Sequence, residues 1–202
     1  MQLVLPDIKG PRTLGIEPDS LMDDDRYFDF CQQNPKLRIE RTAEGKIVIM
    51  PPVGWESNDQ EFQVGLQLGN WAEKDGRGRA CGPTAEFMLP NGAGRAPDAS
   101  WVSYSQLRKL TEDERSKFPH LCPEFVIEVR SPSDPMKALK AKMQEWIDNG
   151  VQLAWLIDGR SRTVTIYRPV REPQELADPA VVAGEGPVRG FRLKLSKVWD
   201  GF

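Results

Sequence analysis

The segment PEFVIEVRSPSDPMKALKAKMQEWIDNGVQLAWLID, Pro123 to Asp158, narrows the fold of this 202-residue chain more than any other stretch. Pro123 to Arg130 has the apolar content of a buried β-strand. A Ser-Pro-Ser-Asp turn follows, then a helix with Asp134 as its cap and Pro135 at its first position. Met136, Leu139, Met143, Trp146 and Ile147 form one stripe of that helix, which ends at Asn149-Gly150. LAWLI, from Leu153, is apolar throughout, as a strand covered on both faces must be. Strand, helix and covered strand in this order call for a sheet with helices packed on it. One residue does not fit a plain core. Glu128 shares a strand face with Val126 and Arg130, opposite Phe125, Ile127 and Val129. A buried carboxylate with neither partner nor task is too costly to keep. Either Arg130 pairs with it, or it serves a site.

The rest of the chain fits the same architecture. Residues 1–18, with three prolines and two glycines, read as an N-terminal arm, and 19–202 as a single domain. Asp19 or Ser20 can cap a helix running to about Gln33, with Leu21, Tyr27, Phe28, Phe30 and Cys31 as its apolar positions. LRIERTAEGKIVIMPP gives two short strands joined at Glu44-Gly45. Phe62, Leu66, Leu68 and Trp71 lie at helical spacing between Glu56 and Lys74, and Gly76 can close that helix. Strands follow, broken at Gly82-Pro83 and Asn91-Gly92, then short helices over 105–117. RTVTIYR alternates like an edge-ward antiparallel strand, and the tail adds a last strand or packs outside. The fold class is α/β, a mixed central sheet flanked by helices.

Composition removes several kinds of function. A net charge of −3 gives no overall basic signature of nucleic-acid binding. An enzyme that meets DNA only around acidic metal ligands is less affected by that argument. No apolar run approaches ~20 residues, and MQLVLPDIKGPR lacks a secretory pattern, so a cytoplasmic protein without a membrane span is expected. Cys31, Cys81 and Cys122 are scattered and are expected to be free, buried thiols. His120 is the only histidine, which leaves little ground for hydrolysis through a histidine base.

A second acid stands in GRAPDASWVSY. Pro97 cannot donate into a sheet, so the chain enters the sheet at Asp98, and Asp98, Ser100 and Val102 share a face. Pro97-Asp98, followed about thirty residues later by Glu128-Val129-Arg130, resembles the motif of the PD-(D/E)XK, or restriction-endonuclease-like, nucleases. The departure is Arg130, where the motif has lysine. MPPVGWE, LPNGAGRAPDASWVS, CPEFVIEVRSPSD and KMQEWIDNGVQLAWLID together resemble the Uma-type restriction endonucleases within that superfamily, over roughly residues 20–200. The resemblance implies a restriction-endonuclease-like sheet and a lysine moved to the following helix, at Lys142. Periodicity alone does not choose between Lys142 and Lys140, which sit on opposite shoulders of the apolar stripe. It also implies a glutamate at the start of the first core helix. Glu56 matches that position and Glu61 is the weaker candidate; acids in a helix's first turn are common in any case.

The function expected from this resemblance is magnesium-dependent cleavage of DNA, with manganese as a substitute ion. Asp98, Glu128, the Val129 carbonyl and Glu56 would hold the metal, and Lys142 would act on the attacking water. Arg130 and Lys140 would contact substrate, and a homodimer is a candidate assembly. A catalytically silent binding or regulatory module on the same fold is the alternative, and a hydrolase of smaller phosphoesters a third.

Overall fold

The computed structural model describes residues 22–132 and 134–200; the expected arm over 1–18 and the Asp19 or Ser20 cap lie outside them. Helix α1 (Asp24–Gln33) is capped by Asp23, whose side chain accepts from the Arg26 amide, so it begins later than expected. A hairpin follows, β1 (Arg38–Arg41) and β2 (Ile47–Met50), then the long helix α2 (Trp55–Asp75). Gly76 closes α2 in the left-handed conformation, with φ of 70°. Next come β3 (Gly78–Cys81), β4 (Phe87–Met88), β5 (Gly94–Arg95) and β6 (Ala99–Ser103), and the short helices α3 (Tyr104–Leu107) and α4 (Glu112–Ser116). The strand–helix–strand unit is β7 (Phe125–Val129), α5 (Met136–Asp148) and β8 (Leu153–Asp158). The chain ends with β9 (Thr163–Arg168), β10 (Arg171–Ala177), β11 (Val181–Ala183), β12 (Arg192–Lys194) and α6 (Ser196–Trp199).

Six strands form the central sheet in the order β10-β9-β8-β7-β6-β3. Only β7 and β8 run parallel, joined by α5, and the other neighbours are antiparallel, so the sheet is mixed. Strand alternation then decides which residues meet which layer. Phe125, Ile127, Val129 and Trp155 face one side, where they pack with Val64, Leu68 and Ala72 of α2 and with Phe191, Leu193 and Val198 of the tail. Val126, Ala154 and Leu156 face the other, against Met143 and Trp146 of α5. A smaller sheet, β2-β1-β5-β4, carries the hairpin. Strand β9 lies one place in from the edge of the central sheet, with β10 paired beyond it.

Several local expectations are corrected. In α2 the buried row is Ser57, Glu61, Val64, Leu68 and Ala72, while Phe62 and Leu66 are exposed. Both rows have helical spacing, and the polar residues at the start of the buried one disguise it. The tail does add a strand, but β12 pairs with β11 rather than with the central sheet, and Phe191 and Leu193 enter the core under α2. Helix α5 starts at Met136 with Pro135 as its cap residue, and Asp134 instead accepts from the Ser131 amide, bracing the turn. Cys31, Cys81 and Cys122 are free, as expected, but half-buried rather than enclosed.

Candidate active site

The antiparallel ladder between β6 and β7 pairs Ala99 with Ile127, so Asp98 and Glu128 face each other one step further on. Residues opposite each other in such a ladder share a face. Both are buried, at 5% and 3% exposure, which for a carboxylate demands partners. Asp98 Oδ2 accepts from the Val129 amide at 2.7 Å, and Oδ1 accepts from Arg38 Nη2 at 2.9 Å. Glu128 Oε1 accepts from the Trp146 indole at 2.9 Å and lies 2.9 Å from Lys142 Nζ. Trp146 and Lys142 are four residues apart on α5, so one helix face supplies both the donor and the cation.

The competition for Glu128 is thereby resolved. Arg130 does not pair with it but donates to Asp158 Oδ2 at 2.7 Å and to the Asp134 carbonyl at 3.3 Å, tying the turn after β7 to the end of β8. The two lysines also separate. Lys142 is largely buried at the site, whereas Lys140 is exposed and does not line the cleft.

Hairpin residues complete the arrangement. Arg38 and Glu40 alternate on β1 and project to the same side. Arg38 takes Asp98, and Glu40 Oε1 accepts from Lys142 Nζ at 2.8 Å. The sequence hid this role, since alternating charges on a hairpin normally mark its solvated face. Here Lys142 reaches over from α5 to that face, and Glu40 is 2% exposed. A cleft of about 610 Å³ separates the hairpin from α5, with Asp98, Glu128 and the Val129 backbone in its lining.

The acid contributed by α2 is Glu61, not Glu56. Glu56 is exposed in the first turn of α2 and lines a separate small pocket with Arg130, Asp158 and Arg160. Glu61 lines the cleft and feels Asp98, Arg38 and Glu128. Five residues carry it about one and a half turns further along α2, onto the buried row.

Charge crowding is visible in the acidities. Burial pushes Glu128 up to about 7, against the pull of Lys142 and helped by repulsion from Asp98 and Glu40. Burial and the Asp98 charge push Glu61 up to about 7, with Arg38 opposing. Burial would lower Lys142, but Glu128 and Glu40 overcome it and hold the ammonium above its ordinary range. Glu40 is the reverse case: burial would raise it, but Lys142 and Arg95 prevail and keep it ionised.

These donors suit a hard divalent cation. Seven carboxyl groups line the cleft against three cations, Arg38, Arg95 and Lys142. Asp98 raises both Glu128 and Glu61, and Glu128 raises Glu61 further, a repulsion a bound cation would relieve. Arg38 holds Asp98 through one N–H, and its Nε has no partner among the described residues, so a metal can take its place. No three acidic, cysteine or histidine side chains among the described residues already form a metal cluster. Asp98 and Glu128 are hard oxygen donors of the kind that magnesium takes while keeping several of its waters.

The metal-free protein should carry a signature of this crowding in its stability. Glu128 has a folded pKa above its ordinary 4.5, so the folded state keeps this proton to higher pH than the unfolded chain does. Its contribution to stability is full below about 4.5 and is lost as pH rises through about 7. Glu128→Gln can still accept from Trp146 without carrying the charge. It should raise stability at pH 8 by on the order of 1 kcal/mol and flatten the decline between pH 5 and 8. Thermal melts in EDTA at the two pH values measure both effects, and a variant less stable than wild type at pH 8 refutes the charge crowding.

Known proteins share this arrangement of strands and helices. The family described as "Putative restriction endonuclease", Uma2, matches residues 24–196. The chain belongs to the Uma2 family. Among solved structures, the chain is similar to the crystal structure of a "putative nuclease belonging to DUF820" from Anabaena variabilis. The two share 20% identity at a TM-score of 0.69, over 83% of this chain and 96% of that one. That likeness establishes the fold, a restriction-endonuclease-like mixed sheet flanked by helices. A chain of the DrdV–DNA complex, solved by cryo-electron microscopy, aligns with 12% identity and a TM-score of 0.38, over 61% of this chain and 12% of that one. That likeness is too slight to bear on this chain. No curated protein matches. Within the Uma2 family's span lie Asp98, Glu128 and Lys142, together with the hairpin residues Arg38 and Glu40.

Proposed function

We propose that this chain is a magnesium-dependent endonuclease that cleaves DNA through Asp98, Glu128 and Lys142, with manganese as a substitute ion. One observation carries the reading: two facing carboxylates end adjacent strands, and a helix ammonium lies 2.9 Å from one of them on the wall of an open cleft. Asp98 and Glu128 would hold the ion, with the Val129 carbonyl as a third ligand. When bound, magnesium would supply an activated water and neutralise charge on the phosphoryl group being transferred.

Lys142 has a narrower role than a water-deprotonating base. Its two carboxylate neighbours keep it protonated, so it donates N–H bonds to the attacking water or to a phosphoryl oxygen as charge develops there. Were Asp98 to hold a metal, Arg38 would be free to contact a phosphate oxygen in the same cleft. The acidic cleft repels bare DNA, so substrate affinity should depend on the divalent ion as well as on basic side chains. Arg130 and Lys140 lie off the cleft, which leaves them at most peripheral contacts to the backbone.

The catalytically silent module remains the second reading, favoured by the internal neutralisation of Asp98 by Arg38 and of Glu128 by Lys142. Plasmid and single-stranded DNA, incubated with magnesium, manganese or EDTA, separate the two. Metal-dependent nicking that stops in EDTA is expected. Retained DNA binding with no cleavage under any metal identifies the silent module, and turnover of small phosphoesters alone identifies a phosphohydrolase.

A further inference from the structure

Lysine is a poor choice for fixed geometry, because four rotatable bonds separate its charge from the backbone. Beside a single carboxylate, its ammonium would settle on that group and follow it. Lys142 instead lies between two acids on different strands, Glu40 Oε1 of β1 at 2.8 Å and Glu128 Oε1 of β7 at 2.9 Å. Glu128 is the partner that a metal would draw away; Glu40 is the one that stays.

Glu40 is itself held at both oxygens. Oε1 also accepts from the Ala96 amide at 3.2 Å, and Oε2 accepts from Arg95 Nη1 at 3.1 Å. Arg95 then reaches back to α5, donating from Nε to Glu145 Oε2 at 2.6 Å. The circuit Lys142–Glu40–Arg95–Glu145 starts and ends on one helix, three residues apart, and passes through β1 and β5. Every member is largely buried, so solvent screens these contacts weakly.

We propose that Glu40 is a positioning residue for the reaction: it holds the Lys142 ammonium in the cleft while Glu128 turns to the metal. The inference rests on the endonuclease reading for its catalytic meaning, but the positioning itself does not depend on any activity. A purely structural role, a strap between hairpin and helix, is the competing account. Glu145 distinguishes them, because it belongs to the strap and does not touch Lys142.

The experiment uses the full chain labelled with ¹⁵N-lysine, with Lys142 Nζ followed by NMR at one fixed pH without metal. Wild type should give a protected, shifted ammonium signal that disappears in a Lys142→Met variant. Glu40→Gln should lose or broaden that signal, Glu40→Asp should shift it partway, and Glu145→Gln should leave it in place. If Glu40→Gln does not fold, the Glu40→Asp spectrum decides alone. An unchanged Lys142 signal in the folded Glu40 variants, or the same loss in Glu145→Gln, overturns the proposal.

Cleavage assays add the catalytic half. Glu40→Gln should lower kcat 10- to 100-fold with KM for DNA and manganese affinity held, Glu40→Asp should recover part of the rate, and Glu145→Gln should stay near wild type. A rise in KM with kcat unchanged overturns the catalytic half. Absence of cleavage by wild type defeats the endonuclease reading, while the NMR spectra still decide whether Glu40 positions Lys142.

Discussion

Asp98→Asn is expected to abolish manganese binding, reduce DNA cleavage by on the order of 10³-fold, and also destabilise the fold. The loss of stability separates it from Glu128→Gln. Both Asp98 oxygens accept, one from the Val129 amide and the other from Arg38. An asparagine has one acceptor oxygen, so its NH₂ must face one of those donors. A buried donor left unpaired costs about 1–3 kcal/mol. The two acids of the site should thus move in opposite directions in EDTA, Asp98→Asn melting below wild type and Glu128→Gln above it at pH 8. In excess magnesium the wild-type melting temperature should rise by linkage, while both variants stay flat. Calorimetric titration with manganese and paired melts measure these effects. Undiminished manganese binding in either variant removes that residue from the metal site.

Much of this arrangement was legible in the sequence, for a physical reason. Strand alternation placed Val126 and Glu128 on one face, and Asp98, Ser100 and Val102 on one face; the packing bears this out, with Val102 and Val126 both on the α5 side. Period-2 patterns report faces directly, because every side chain in a strand is committed to one of two sides. Lys142 was harder. Spacing put Lys140 and Lys142 on opposite shoulders of α5, and only the hand of the helix against the sheet decides which one looks at β7. Glu61 was obscured because a helix carries several plausible stripes, and the apolar Phe62 and Leu66 outshine the row that packs. Glu40 and Arg38 carried no signal of burial, because their partners come from far along the chain, Lys142 standing 102 residues from Glu40 and Asp98 60 from Arg38. Long-range contact with a short polar strand leaves no trace in that strand.

The same long-range contact makes the loss of Lys142 costly to the fold. Its ammonium serves two buried carboxylates at once, and Lys142→Ala removes the cation from both. Glu40 keeps Arg95 and the Ala96 amide, so most of the burden falls on Glu128, which keeps the neutral Trp146 indole. Breaking a buried pair by removing one partner costs about 3–5 kcal/mol. The cost should depend on pH. Glu128 is already protonated in the folded state well below pH 7, so at pH 5 it tolerates the missing cation and the loss is smaller. At pH 8 it must either stay charged without a partner or hold a proton that the solvent pulls away, and the full penalty appears. Urea denaturation of Lys142→Ala and wild type at both values tests this, with a larger gap at pH 8 expected. Lys140→Ala, on the exposed side of α5, should stay within about 0.5 kcal/mol of wild type at either pH. Adding Glu128→Gln to Lys142→Ala should recover part of the loss, since it neutralises the charge left behind. Cleavage by Lys142→Ala should fall on the order of 10²-fold or more while manganese still binds, because a cation has been removed from beside its ligands. Equal stability of Lys142→Ala and Lys140→Ala would mean that the ammonium is not the counter-ion of Glu128, and both its structural and its catalytic assignment would fall.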